Sequence, residues 1–291
     1  MKTVLITGAS GFLGSHLVQA LKDDKRYRII GVARDTEKIP RGRNIEAISI
    51  DSFFSMTDLH VDMLVNCAFA RSNNALLLAN SLDYTANLAK ILKKAEIQSL
   101  INISSQGVYK RLPAGELQKE DSQICPIDMY SMAKYSAEKI LTASECASHI
   151  TQVRLASINM KQRFLFSFIN NVINGENIVL SAPYQNAALL DIKDAVSGLQ
   201  ALIDLPNINR KEIYNLGINK QMTVFDYACV VVNTMKEFGY HGEIVLDNSN
   251  TDINNSGMDC SQIMEDTGWR PRITPRDMVY DYYCELTKEI H

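Results

Sequence analysis

Short apolar runs alternate with amphipathic stretches through the first half of the chain. The runs are rich in β-branched residues, which is typical of buried parallel strands. Six strands are predicted, at residues 4–6, 28–33, 45–50, 63–66, 99–103 and 151–155. Between them, apolar residues recur at helical spacing, most clearly over residues 82–95 and 129–144. This alternation predicts the α/β class, with a parallel sheet covered by helices on both faces.

The pattern changes after residue 157, where the predicted strands become shorter. They lie at residues 178–180, 189–192, 212–216 and 243–246, among helices at 164–174, 194–205, 224–238 and 275–289. We therefore expect one domain over residues 1–157, built on the first sheet. A smaller α/β lobe is expected over residues 158–291, with some later segments returning to the first domain.

Three glycines follow the first strand directly, with the spacing G-x-x-G-x-x-G, and a helix is predicted after them. Strand, glycine turn and helix in this order are typical of dinucleotide binding. Gly8 allows a tight turn, and Gly11 lets the backbone approach a pyrophosphate. Gly14 lets helix and strand pack closely, while free N–H groups at the start of the helix face the negative charge.

The composition narrows the possible partners and the compartment. Of the 291 residues, 46% are hydrophobic and 22% are charged, which is ordinary for a globular protein. A net charge of −3 does not favour nucleic acid or anionic membranes. Six cysteines without a C-x-x-C pair and five scattered histidines indicate reduced thiols, a cytoplasmic location and no metal site. No segment approaches the ~18 apolar residues of a membrane span, and no secretory signal is expected.

A tyrosine and a lysine lie four residues apart on one face of a predicted helix, at Tyr130 and Lys134. A free tyrosine has a pKa of about 10, and a nearby ammonium group lowers it towards neutrality. Ser104 and Ser105 end the preceding strand, where a serine can hydrogen-bond the substrate oxygen that the tyrosine protonates. The pattern therefore favours an acid–base site over the alternative, which is an exposed pair on a solvated helix.

These motifs together resemble the extended short-chain dehydrogenase/reductases, also called the NAD-dependent epimerase/dehydratase family. The resemblance extends over nearly the whole chain and includes the acidic pair and proline that precede Tyr130. The matching segments are 7–14, 103–109, 130–134, 191–195, 213–217 and 268–271. The resemblance implies a Rossmann-type doubly wound parallel sheet, a C-terminal substrate lobe and hydride transfer with a nicotinamide cofactor.

The resemblance also implies roles for individual residues. Tyr130 is the acid–base on a substrate hydroxyl or carbonyl, Lys134 binds the nicotinamide ribose and tunes Tyr130, and Ser105 holds the substrate oxygen. The family commonly forms dimers through the tyrosine helix and the helix after the fourth strand. The other cofactor contacts implied are Gly8, Ser10, Gly11, Phe12, Leu13 and Gly14, then Asp51 and Ser52 near the adenine, and Cys67, Ala68, Phe69 and Arg71 beneath the pyrophosphate and ribose.

The choice between NAD and NADP is made at the end of the second strand. NAD-preferring members carry a carboxylate there, which binds both ribose hydroxyls. This chain has Ala33 followed by Arg34, a pairing that suits a 2′-phosphate and favours NADP(H). The alternative is that Arg34 is a solvated loop residue and that Asp35 binds the ribose.

The substrate half departs from the family. Arginines that usually hold a nucleotide diphosphate are missing from 185–189, and no cation lies in 247–255. Ser157 replaces an asparagine after the sixth strand. Lys161 and Arg163 could contact a substrate phosphate from a new direction. Ser105 and Ser157 are the other expected contacts to the substrate. The alternative is a solvated helix start.

The expected function is that of an NAD(P)-dependent epimerase or ketoreductase. It would act at a carbinol or ketone carbon of a nucleotide sugar or related sugar. Residues 105–107 offer no carboxylate beside the serine, which disfavours dehydration. Two alternatives stay open: a reductase of a small non-nucleotide carbonyl compound, and a non-catalytic NAD(P)-binding regulator.

Overall fold

A computed structural model describes residues 1–160, 163–247 and 255–290 of the chain. The strands are β1 (Lys2–Thr7), β2 (Tyr27–Ala33), β3 (Ile45–Ser49), β4 (Met63–Asn66), β5 (Ser99–Ser105), β6 (His149–Leu155), β7 (Ser157–Ile158), β8 (Ile178–Leu180), β9 (Asn186–Ala187), β10 (Leu189–Leu190), β11 (Ile213–Leu216), β12 (Met222–Thr223) and β13 (Ile244–Leu246). The helices are α1 (Phe12–Leu21), α2 (Ile50–Phe54), α3 (Ala75–Lys94), α4 (Met129–Ala143), α5 (Phe164–Ile173), α6 (Ile192–Asp204), α7 (Val224–Lys236), α8 (Ser261–Thr267) and α9 (Pro275–Ile290).

The main sheet has seven strands in the order β11-β6-β5-β4-β1-β2-β3, and every neighbouring pair is parallel. Helices α1, α6 and α8 bury apolar side chains against one face of this sheet. Helices α2, α3 and α4 do the same on the other face. The predicted doubly wound α/β sheet is therefore confirmed.

All six strands predicted in the first half are present, and β11 adds a seventh strand to the same sheet. Residues 213–216 pair with β6, so a segment from the second half of the chain returns to the first sheet. The strand predicted at 45–50 ends at Ser49, because the Ser49 hydroxyl accepts a hydrogen bond from the Ser52 N–H and begins α2. Neither α2 nor α8 was predicted.

Helix α3 begins at Ala75, earlier than the predicted start at residue 82. Asn74 caps it, since its side-chain oxygen accepts from the N–H groups of Leu76 and Leu77 at 3.0 and 3.2 Å. Residues 75–78 are all apolar, although Leu76 is 76% exposed, so no alternation of apolar and polar residues marks this turn.

The second half also forms a separate hydrophobic core from α5, α7 and α9. The strand predicted at 189–192 is shorter than expected, because the Asp191 side chain accepts from the Lys193 N–H at 2.7 Å and begins α6. At the start of α7, the side chains of Thr223 and Asp226 each bond the other's backbone N–H. No helix in the described ranges is long and apolar enough to cross a membrane.

Candidate active site

The glycine turn between β1 and α1 brings three backbone segments into close contact. Gly8 has a φ of 68°, which side chains rarely adopt, and a Cβ there would lie 2.8 Å from the Ala68 backbone nitrogen. A Cβ on Gly14 would lie 2.2 Å from the Gly8 carbonyl oxygen. Helix α1 therefore approaches the turn as closely as it does only because Gly14 has no side chain.

The start of α1 is free to bind an anion. Its N-cap residue is Gly11, and no side chain caps the N–H groups of its first turn. Such groups favour a phosphate, because the helix dipole and the free donors both face it. The residues present therefore fit the pyrophosphate of a dinucleotide.

One cavity of about 620 Å³ lies at the carboxyl ends of the central strands and contains most of the expected site residues. Those that line it are Gly11, Phe12, Leu13, Gly14, Cys67, Phe69, Arg71, Ser105, Tyr130, Lys134, Ser157 and Arg163. Expected residues that do not line it are Gly8, Ser10, Arg34, Asp51, Ser52 and Ala68. Lys161 lies outside the described residues.

Helix α4 positions Tyr130 in its first turn. Asp128 caps the helix by accepting from the Ser131 N–H at 2.8 Å, and the Tyr130 N–H donates to the Asn73 side-chain oxygen at 3.1 Å. The Phe69 ring packs edge-on to the Tyr130 ring, with centroids 6.2 Å apart. Burial raises the pKa of the Tyr130 phenol, and the positive charge of Arg71 is the strongest influence that opposes this rise.

Lys134 lies one helical turn further along and is only 6% exposed. Its ammonium group donates to the Ile103 carbonyl at 2.8 Å and lies 4.1 Å from the Phe69 ring centroid. Burial lowers the pKa of Lys134 to about 7. A ribose hydroxyl could accept a hydrogen bond from this buried ammonium group and stabilise its charge, so Lys134 fits a nicotinamide nucleotide.

The structure corrects one expectation about this pair. Lys134 was expected to lower the pKa of Tyr130, but the cations that lower it are Arg71 and Arg163. The reason is that the Lys134 ammonium is bonded to the Ile103 carbonyl and lies 5.9 Å from the Tyr130 ring centroid.

Ser105 ends β5 and lines the cavity with Tyr130. Its hydroxyl oxygen accepts from the Gly107 N–H at 3.1 Å, which leaves the hydroxyl proton available to a ligand. A Cβ on Gly107 would lie 2.3 Å from the Ser131 hydroxyl, so the glycine allows the end of β5 to lie against α4. The serine and the tyrosine are thus brought to one cavity from two elements.

Arg71 and Arg163 meet in this cavity beside Tyr130, although nothing in their spacing links them. A guanidinium nitrogen of Arg71 contacts the Met160 sulfur. The Nε of Arg163 is buried and has no hydrogen-bond partner among the residues that the structure describes. Burial and the charge of Arg71 lower the pKa of Arg163. Neither arginine forms an ion pair within the part of the chain that the structure describes. Two cations without an acid between them suit a bound oxyanion.

Several lining residues were not singled out from the sequence. Gln106 is one: its amide nitrogen donates to the Ser157 hydroxyl at 3.0 Å. Asn73, Asp128 and Met160 are others. The sequence offered one indication that Gln106 could belong to the site, namely that it follows Ser105 directly in the chain. The others come from loops whose course the periodicity does not reveal.

A second cavity of about 1050 Å³ adjoins the first, and Arg71 and Met160 line both. Its other walls come from the start of α1, the start of α6 and one face of α9. Phe12, which begins α1, lines both cavities as well.

The end of β2 presents the residues expected to choose the cofactor. Ala33 is buried at the strand end, and Arg34 is exposed directly after it. The Asp35 carboxylate accepts from the Glu37 N–H at 3.2 Å and pairs with Lys38 at 3.0 Å. Asp35 is thus already engaged, whereas no bond within the described ranges holds the Arg34 side chain.

The parallel strand order and the glycine turn are those of a Rossmann-type nucleotide-binding fold. A family model described as "NAD dependent epimerase/dehydratase family" matches residues 4–217. The chain belongs to this family.

Individual relatives are distant but similar over their full length. The chain is 21% identical to Protein CapI of Staphylococcus aureus, over 98% of this chain and 99% of that protein. Among solved structures, UDP-glucuronic acid 4-epimerase from Bacillus cereus, in complex with UDP-glucuronic acid and NAD, gives a TM-score of 0.82 at 19% identity, covering 98% of this chain and 99% of that one. UDP-glucose 4-epimerase of Thermotoga maritima gives 0.80 at 21% identity, covering 98% and 99%. At these identities the likeness shows a shared fold.

Proposed function

We propose that this protein is an NAD(P)-dependent epimerase or ketoreductase that acts at a carbinol or ketone carbon of a nucleotide sugar or related sugar. The observation that carries the proposal is the cavity itself. Tyr130, Ser105 and Lys134 line it together with the glycine turn at the start of α1. A substrate oxygen between the serine and the tyrosine would lie beside the place where the residues fit a nicotinamide nucleotide.

Ser105 and Tyr130 have separate roles in the proposed reaction. The Ser105 hydroxyl donates a hydrogen bond to the substrate oxygen and orients it. Tyr130 accepts the hydroxyl proton when a carbinol is oxidised and returns a proton when a ketone is reduced. When bound, the nicotinamide supplies hydride transfer to or from the substrate carbon. Because burial raises the pKa of Tyr130, the phenol is protonated at neutral pH and is suited to donate in the reductive direction.

The two unpaired arginines favour an anionic substrate. Arg71 and Arg163 lie beside Tyr130, where a phosphate or carboxylate of the substrate could lie between them. Even if Arg71 contacts the cofactor, a small neutral carbonyl compound would give Arg163 no anionic partner, so the arginines favour a nucleotide sugar. If the substrate is a nucleotide sugar, UDP should compete with it for binding. If the substrate is a small non-nucleotide carbonyl compound, UDP should not compete.

The test replaces Tyr130 by Phe and measures turnover with UDP- and GDP-sugars as well as calorimetric binding of NAD(H) and NADP(H). We expect turnover to fall by about 10²- to 10⁴-fold, because the proton carrier is lost, with cofactor affinity unchanged. Tyr135→Phe is the matched control, since Tyr135 lies on the same helix outside the cavity. Normal turnover by Tyr130→Phe would overturn the mechanism.

We also propose NADP(H) as the preferred cofactor and a homodimer as the working assembly. Arg34, exposed after Ala33, supports the first. Exposed apolar residues at the adjacent starts of α3 and α4 support the second: Leu76, Leu77, Met129 and Met132. The six free cysteines suit a reducing compartment such as the cytoplasm.

We propose residues 1–157 as the cofactor domain and 158–291 as mainly the substrate lobe. Strand β11 and helices α6 and α8 pack on the first sheet as later segments that return to it.

A further inference from the structure

Gln106 is a cavity residue to which the mechanism above gives no role. It follows Ser105 directly and begins a short 3-10 turn over Gln106–Val108 at the end of β5. Strands β5 and β6 are parallel neighbours, with Ser105 opposite Leu155. The ends of these strands therefore lie side by side, and Ser157 comes within reach of Gln106.

The two ends of the Gln106 amide differ in their surroundings. The nitrogen donates to the Ser157 hydroxyl at 3.0 Å. The oxygen is buried and has no hydrogen-bond partner within the described ranges. A buried carbonyl oxygen without a donor is unfavourable, so such a group commonly accepts a hydrogen bond from a ligand.

The surrounding contacts hold this amide in place before any ligand binds. Gly107, the next residue, lies so close to α4 that a Cβ on it would meet the Ser131 hydroxyl at 2.3 Å. The turn is therefore fixed against the helix that carries Tyr130, and Ser157 fixes the amide itself. A group held in this way loses little conformational entropy when it binds a partner.

We propose that Gln106 is a substrate-binding residue whose amide oxygen, held by Ser157, accepts a hydrogen bond from a sugar hydroxyl next to the reacting carbon. Ser105 binds the reacting oxygen, and Gln106 adjoins it, so the hydroxyl is a near neighbour of that oxygen. Because an acceptor of fixed direction binds a hydroxyl only on one face of the ring, Gln106 selects the configuration of the substrate. This inference rests on the proposed function.

The test measures calorimetric binding of UDP-glucose, UDP-galactose and UDP-glucuronic acid to the cofactor-loaded protein, followed by the 2-, 3-, 4- and 6-deoxy forms of the tightest ligand. We expect Gln106→Met to weaken that ligand by about 10- to 100-fold, with the NAD(P) affinity unchanged. One deoxy form, which lacks the hydroxyl that Gln106 binds, should bind the unmodified protein as weakly as the complete ligand binds Gln106→Met. The same deoxy form should bind Gln106→Met with no further loss of affinity. Ser157→Ala should cause a smaller loss, because the amide remains but is no longer held.

Gln98→Met is the matched control, because Gln98 is exposed just before β5, at its opposite end. Gln106→Asn provides a second variant in case the methionine does not fold, and its shorter amide should give a similar loss. Two outcomes would overturn the role of Gln106 and leave the proposed function standing. One is an unchanged ligand affinity in a folded Gln106 variant. The other is a loss of affinity for every deoxy form that is the same in the unmodified protein and in Gln106→Met. If none of the three sugars binds the unmodified protein, the same series is measured with GDP-sugars, and the absence of binding in both series would overturn the proposed function and this inference with it.

Discussion

At the scale of single residues, the site combines a half-buried phenol, a buried ammonium and two guanidinium groups that form no ion pair with any described residue. Burial acts in opposite directions on them, since it raises the pKa of Tyr130 and lowers that of Lys134. Both shifts favour the neutral form. The arginines then supply positive charge at the point where an anionic substrate would bring negative charge.

Lys134 makes the stability of the folded protein depend on pH. Its pKa is about 7 in the folded state, against an ordinary value of 10.5. Between these values the unfolded chain binds more protons, so the free energy of unfolding rises with pH above about 7. We expect Lys134→Met to lose this rise, by at most about 1.4 kcal/mol per pH unit, in urea unfolding measured between roughly pH 7 and 8.5. Lys139→Met, exposed on the same helix, is the control, and parallel pH profiles for Lys134→Met and the unmodified protein would show the prediction to be wrong.

Arg34 should determine the preference between the two cofactors. Its side chain is exposed at the end of β2 and makes no bond to the described residues, whereas Asp35 pairs with Lys38. Replacing Arg34 by Ala should weaken NADP(H) binding by about 10-fold or more, because a charge-assisted bond to the 2′-phosphate is lost, and should leave NAD(H) binding unchanged. Calorimetry with both cofactors measures this. Equal effects on the two cofactors would mean that Arg34 does not contact the 2′-phosphate.

At the scale of elements, α1 can lie close to the turn after β1 only because position 14 is a glycine, which has no side chain. An alanine at position 14 would favour the helix by about 1 kcal/mol in propensity. Its Cβ, however, would lie 2.2 Å from the Gly8 carbonyl oxygen, which belongs to the backbone and cannot swing away. The steric cost therefore exceeds the gain in propensity.

Gly14→Ala should consequently destabilise the protein by about 1–3 kcal/mol and weaken cofactor binding, because α1 must move away from the turn. Thermal unfolding and NAD(P) titration measure the two effects. Gln19→Ala, at an exposed position of the same helix, should leave both unchanged. A stability of Gly14→Ala equal to that of the unmodified protein would contradict the packing argument.

At the scale of the whole molecule, the starts of α3 and α4 form a continuous surface. The Asn73 side chain, just before α3, accepts from the Tyr130 N–H in the first turn of α4. Leu76 and Met132 are 76% and 49% exposed here. An apolar surface of this kind is typical of an interface between subunits.

We expect the purified protein to sediment as a dimer and Leu76→Glu with Met132→Glu to sediment as a monomer, because the charges would be buried in the interface. Ile208→Glu is the control, since Ile208 is 93% exposed far along the chain from this surface. Analytical ultracentrifugation distinguishes the states. A monomeric unmodified protein would rule out this assembly.

The sequence alone was sufficient for most of the strands and helices, although not for α2 or α8, and for the glycine turn and the place of Tyr130 and Lys134 on one helical face. These features depend on neighbouring residues and on periodicity, so they can be read along the chain. Even so, α3 begins earlier than predicted, because residues 75–78 are all apolar and show no alternation with polar residues that would mark a helical face.

Tertiary structure alone decided how the site is arranged. Arg71 meets Arg163, and Gln106 meets Ser157, only because the carboxyl ends of the strands and the loops beyond them converge on one cavity. Likewise, Lys134 has a pKa of about 7 because burial removes water from its ammonium group. Contacts between distant residues and the loss of water around a charge arise only when the chain folds.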